Sequence, residues 1–93
     1  MSEPVIRRRV LVHGRVQGVF FRDGCRERAQ STGVHGWVAN RPDGSLEAVF
    51  EGLTTDVDAL VAWCREGPPE ADVSGVEVVD ETAQGLERFE VRG

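Results

Sequence analysis

Apolar side chains recur along this chain with a period that switches from two to about four and back, twice over, and few architectures satisfy that order. From Val5 to His13 apolar and β-branched residues mix with arginine, and Val10 and Val12 alternate with Arg9, Leu11 and His13 as in a strand. Gly14 and Gly18 then mark a loop. From Phe21 to Thr32 the positions Phe21, Cys25 and Ala29 fall on one helical face, and Gly33 suits the left-handed residue that closes a helix. His35 to Asn40 and Leu46 to Glu51 read as two strands, the second alternating Leu46, Ala48 and Phe50 with Glu47, Val49 and Glu51. Arg41-Pro42-Asp43-Gly44 joins them as a hairpin turn, since proline presets φ and glycine supplies the positive φ from which the return strand starts. Thr54 or Thr55 is placed to cap a second helix carrying Val57, Leu60, Val61 and Cys64, with Gly67-Pro68-Pro69 as its stop. Val73 to Val79 fits a fourth strand, and Arg88 to Arg92 a short fifth whose Phe89 and Val91 reach the core.

This order is βαββαβ with a tail strand, the split βαβ arrangement of ferredoxin-like domains. The expected fold is therefore an α/β sandwich of the α+β kind, with a mixed, largely antiparallel sheet and both helices on one face. The crossover through the first helix makes strands one and two parallel and right-handed in connection. Their C-terminal ends then share one edge, which brings the loop from Gly14 to Phe21 beside Asn40. With 93 residues the chain is expected to form one domain over 1–93, with residues 1–4 as a flexible N-terminus.

The totals exclude several functions. No apolar run approaches the roughly 20 residues that span a bilayer, and the N-terminus lacks the apolar stretch of a secretory signal. The expectation is a cytoplasmic protein without a membrane partner, and a chain this small and acidic is expected to be a monomer. The formal charge of −5 opposes general nucleic-acid binding. Glu47, Glu51, Glu77, Asp80 and Glu81, if they share the open sheet face or its rim, repel a nucleic-acid backbone and keep that face soluble. Arg7-Arg8-Arg9 reads as a solvated strand start rather than a nucleic-acid tag. Cys25 and Cys64 fall in apolar helical stripes and read as reduced packing residues. Trp37 and Trp63 read as packing anchors.

One segment carries chemistry. Gly14-Arg15-Val16-Gln17-Gly18-Val19-Phe20-Phe21-Arg22 runs from a strand into a helix with two glycines and an arginine at the helix start. Glycines let successive N–H groups turn inward, the first helical turn offers unpaired N–H groups, and a guanidinium takes two phosphate oxygens at once. Such a loop can cradle an anion, although many loops of this composition bind nothing, and the residues alone leave both readings open. A Walker A loop is absent, as is its lysine. A cysteine phosphatase places arginine six positions after its nucleophile, where Ser31 and Glu70 stand relative to Cys25 and Cys64. His13 and His35 lack a partner at metal-ligand spacing and read as strand-face histidines, so no metal is expected.

The run from Gly14 to Arg22, followed by Gly36-Trp37-Val38-Ala39-Asn40-Arg41-Pro42-Asp43-Gly44-Ser45-Leu46-Glu47, resembles the two signature segments of the acylphosphatase family. Gly67-Pro68-Pro69 with Ala71 and Val73 is similar to a later segment of that family. The resemblance implies a ferredoxin-like sandwich and hydrolysis of small acyl phosphates without metal or cofactor. Carried over by position, it implies that Arg22 and Asn40 are catalytic and that the backbone of Arg15, Val16, Gln17, Gly18, Val19, Phe20 and Phe21 binds the substrate phosphate. Gly24, Cys25 and Thr32 depart from what that helix would be expected to carry and put its stability in question.

Few groups suffice for such a reaction. The leaving group is a carboxylate, stable as an anion near neutral pH because carboxyl pKa values lie at about 4. What remains is to hold the phosphoryl group, offset its charge and set a water in line. Asn40 does not titrate, but its carbonyl can accept from water. The alternative from another class is a module that keeps the anion cradle and senses a phosphorylated ligand without turnover.

Overall fold

Val5–Arg15 is the longest strand of the chain, β1, and its alternation decides the two faces of the sheet: Val10 and Val12 are fully buried while Leu11 and His13 are half-buried. The computed structural model describes residues 4–93, so the expected flexible N-terminus lies outside the described residues except for Pro4, which is exposed. After β1 follow α1 (Phe21–Thr32), β2 (His35–Asn40), β3 (Leu46–Leu53), α2 (Thr54–Cys64), β4 (Asp72–Glu81) and β5 (Phe89–Arg92). The strands form one sheet in the order β4-β1-β3-β2-β5. β1 and β2 both pair antiparallel with β3, so they run parallel to each other with β3 between them, while β5 adds to β2 in parallel.

Helix α1 packs on β2 and β5, and α2 on β1 and β3. Phe21, Cys25 and Ala29 of α1 and Val57, Leu60, Val61 and Cys64 of α2 join Val10, Val12, Val38, Leu46, Ala48 and Phe50 in one core. Gly33 closes α1 at φ 75°, as its position in the sequence implied. The suspect residues of α1 have reasons. A Cβ on Gly24 would lie 2.5 Å from the Trp63 ring, so glycine makes room for the indole, which meets Phe21 edge-on at 5.1 Å. Cys25 packs against Cys64, and hydrogen bonding to that thiol, then burial, pushes its pKa well up. Thr32 donates its hydroxyl to the Arg28 carbonyl at 2.8 Å.

Several expectations need correction. Of the two tail-strand residues expected to reach the core, Phe89 does, whereas Val91 is 38% exposed. The cap position of α2 is Leu53, and Thr54 and Thr55 stand inside the first turn, because β3 runs directly into the helix and leaves no loop for a polar cap. β1 continues through Gly14 and Arg15, and β4 begins at Asp72, since these two strand ends pair with each other beyond a register shift after His13. Arg7 is not solvated: its side chain is 5% exposed and bonds Glu51 at 2.8 Å and Glu81 at 2.7 Å.

Nor are the acidic residues a simple soluble face. Glu51, 3% exposed, accepts from Arg7 and from the backbone N–H groups of Gln84, Gly85 and Leu86. Glu47 bonds Arg9 and Arg41, and Arg9 and Arg92 stand over the Trp37 ring. Asp80 belongs to the helix side, where it shares Arg8 with Asp58 of α2. Burial raises the Glu51 carboxyl, but the Arg7 guanidinium and the N–H groups of Gln84 and Leu86 outweigh it and hold the pKa below the usual range. Hydrogen bonds from Arg9 and Arg7 bring Glu81 down to about 2.

Both carboxyls are thus ionised more readily in the folded chain than in the unfolded one. The stability they bring is complete above their unfolded value near 4.5 and is lost as the pH falls below it, for Glu81 down to about 2. Urea titrations across this window should show that loss, and Glu81→Gln should flatten it. Glu51→Ala leaves Arg7 with Glu81 as its one remaining partner and strands three N–H groups, and should cost about 3 kcal/mol at pH 7 by the same measurement.

Candidate active site

The loop after β1 turns back through two left-handed residues. Gly18 takes φ 71°, which costs glycine nothing, but Phe20 takes φ 67° and is the one non-glycine residue with positive φ among those described. That conformation costs a residue with a Cβ about 1–2 kcal/mol. The turn it makes leaves Phe20 69% exposed and Phe21 2% exposed, so the chain enters α1 with one ring outside and the next buried. Arg22 then falls in the first helical turn, half-buried, where N–H groups are unpaired.

The loop is tied across the sheet. The Gln17 carboxamide NH₂ donates to the carbonyls of Arg41 at 2.7 Å and Ser45 at 3.0 Å, the two residues flanking the β2–β3 turn. That turn is itself fixed: Asp43 accepts from the Ser45 N–H at 2.9 Å and hydroxyl at 2.6 Å, and the Arg41 N–H meets the Ser45 carbonyl at 2.8 Å. The hydrogen bonds to Ser45 lower the Asp43 pKa, so the clasp stays ionised near neutral pH. Asn40, the last residue of β2, is held directly before it.

Arg22 and Asn40 come onto one cleft of about 340 Å³, together with Val16, Gly18, Phe20 and Phe21. The guanidinium Nη1 of Arg22 donates to the Gly93 carbonyl at 2.9 Å, and Gly93 follows β5, which lies beside β2, so a single strand stands next to both side chains. The Asn40 Oδ1 is buried and has no hydrogen-bond partner among the described residues. A buried acceptor left unpaired costs about 1–3 kcal/mol, so this oxygen has an unused capacity to accept a hydrogen bond. The cleft can therefore hold an anion at its guanidinium and backbone N–H side and a hydrogen-bond donor, such as water, at its carboxamide.

Of the other residues expected to bind phosphate, Arg15, Gln17 and Val19 do not line the cleft. Arg15 ends β1 against Asp72, Gln17 makes the clasp, and Val19 is buried. Sequence reasoning missed Asp23 and Val91 on the wall, and Gly93 behind the guanidinium. Asp23 was readable as the next first-turn residue of α1, whereas Val91 and Gly93 enter only through the β2–β5 pairing. Both histidines are spoken for: His13 meets Glu77 at 2.6 Å and His35 the Leu86 carbonyl at 2.7 Å. Among the described residues no three His, Cys, Asp or Glu side chains gather to hold a metal ion, and no helix is long and apolar enough to cross a membrane.

If the backbone at Phe20 is strained as its φ implies, glycine there should relieve it. Phe20→Gly should be more stable than Phe20→Ala by about 1 kcal/mol in urea denaturation, because both lose an exposed ring and only one keeps a Cβ.

Comparison with known proteins adds a family. The family model described as Acylphosphatase matches residues 8–91. An acylphosphatase of Rubrobacter xylanophilus is 66% identical over 87 residues, covering 92% of this chain and 79% of that one. Another, of Haloarcula marismortui, is 55% identical over 86 residues, covering 92% and 94%. Among solved structures, an acylphosphatase from Coxiella burnetii superposes with a TM-score of 0.90 at 38% identity, covering 95% of this chain and 93% of that one.

Proposed function

The chain belongs to the acylphosphatase family, and we propose that it cleaves the carboxyl–phosphate bond of small acyl phosphates, with Arg22 holding the phosphoryl group and Asn40 orienting the attacking water. The observation that carries the division of roles is that Asn40, whose Oδ1 is buried and unpaired, lines the same cleft as Arg22. A module that merely senses an anion has no use for a buried acceptor, which repels phosphate oxygens; a hydrolase needs one to take a hydrogen bond from water.

The phosphoryl group sits against the N–H groups of Val16, Gly18, Phe20 and Phe21, which line the cleft, and the start of α1. Arg22, steadied from one side by the Gly93 carbonyl, offers its remaining N–H groups to two phosphate oxygens. As the P–O bond to the acyl group lengthens, charge gathers on the equatorial oxygens, and donors already in place meet it without reorganising. The departing carboxylate, with a conjugate-acid pKa of about 4, needs no proton from the protein. Asn40 contributes orientation, fixing the water on the side of phosphorus away from the leaving oxygen.

The setting follows from the same reading. The facing thiols of Cys25 and Cys64 are free, as suits the reducing cytoplasm. A cradle completed within one chain works as a monomer.

Steady-state assays with acetyl and benzoyl phosphate test the activity. Arg22→Ala should weaken inhibition by inorganic phosphate about 10–100-fold as well as lower the rate, as expected for losing charged hydrogen bonds. Asn40→Ala should lower kcat about 10²–10³-fold and leave that inhibition nearly unchanged. Loss of phosphate inhibition in Asn40→Ala would mean that the two roles are wrongly divided.

A further inference from the structure

A second cleft, about 900 Å³ against about 340 Å³ for the first, opens on the other side of Phe20. Phe20 and Asp23 line both clefts, whereas Asn40 lines only the smaller. The second is walled by Trp63, Glu66 and Pro68 from the end of α2 and the loop after it, and by Glu27, one turn along α1 from Asp23. The exposed ring of Phe20 is explained neither by packing nor by the cradle, which needs only the backbone N–H of that residue.

In-line displacement fixes which way the substrate must point. With water at Asn40, the leaving carboxylate lies on the opposite side of phosphorus. That direction leads away from Asn40, past Phe20 and Asp23. We propose that the acyl group lies across the Phe20 ring into the second cleft, and that this cleft selects acyl groups by charge, favouring neutral aromatic and cationic groups over anionic ones. This rests on the roles proposed for Arg22 and Asn40.

The lining explains the selectivity. Phe20, Trp63 and Pro68 give an apolar, partly aromatic surface on which a flat ring gains contact area and stacking. Asp23, Glu27 and Glu66 surround it; against these three carboxylates, Arg28 on the lining is engaged over Trp63 at 4.7 Å and Arg26 pairs with Asp23 at 3.4 Å, so Glu27 and Glu66 carry the excess negative charge. The balance of charge is acidic, and an anionic tail meets repulsion that salt screens. An acetyl group ends close to the phosphate and does not extend into the second cleft.

Four substrates test this: acetyl, benzoyl, 4-carboxybenzoyl and 4-(aminomethyl)benzoyl phosphate, compared by kcat/KM. At low ionic strength the cationic substrate should exceed the anionic one about ten-fold, and about 0.5 M NaCl should reduce that to about two-fold. Glu27→Gln combined with Glu66→Gln should close most of the gap at low salt while leaving acetyl phosphate turnover unchanged. Phe20→Gly should lower the benzoyl-to-acetyl ratio through KM. Equal kcat/KM for the two charged substrates, or a gap unmoved by the double variant, overturns the second cleft as the acyl site while acetyl phosphate is still hydrolysed. A wild-type protein that turns over none of the four overturns the proposed catalytic roles and this inference with them.

Discussion

Two hydrogen bonds from one carboxamide hold the site together. β1 and β2 are not neighbours; β3 lies between them, and adjacent strands stand about 4.8 Å apart, so the two strand ends are separated by about 10 Å. A loop leaving β1 has to cross that width before it can face Asn40. Gln17 secures the crossing by bonding the carbonyls on both sides of the β2–β3 turn, and Asp43 keeps the turn itself in shape. Without this clasp an arginine at the start of α1 and an asparagine at the end of β2 would share a sheet edge but have no fixed separation.

The other anchor is the burial of Phe21. Its ring meets Trp63, and the Trp63 indole in turn occupies the space where a side chain at Gly24 would stand. Gly67 presses on the same ring from the loop after α2, where a Cβ would approach within 2.5 Å. The first turn of α1 is thereby locked in rotation as well as in position. That matters for the role proposed for Arg22, because a planar guanidinium fork is sensitive to the angle at which its helix presents it.

The strands and helices were legible because their periods are local. So was the gathering of Arg22 with Asn40, since it follows from element order, strengthened by the resemblance of the two segments. What the sequence hid depends on partners far along the chain. Arg7 looked solvated because a short run of arginines usually marks a solvated strand start; its partners are on β3 and β4. Glu51 looked like a surface charge on an alternating strand, yet it serves as an acceptor for the N–H groups of residues 84–86. Gly24 looked like a weakness in α1 because its complement, Trp63, lies on the other helix. The Leu53 cap was hidden by the opposite error: a good capping residue is a local signal, and the strand leading straight into α2 overrode it.

The buried Glu51 has a reach beyond its own ion pair. The segment it grips leads into β5, β5 lies along β2, and the residue after β5 is the brace against which Arg22 leans. Glu51 at one end of the sheet and the Arg22 guanidinium at the other thus lie along one tether. A change at Glu51 is therefore felt, through β5, at a point remote from it: the carbonyl that braces Arg22.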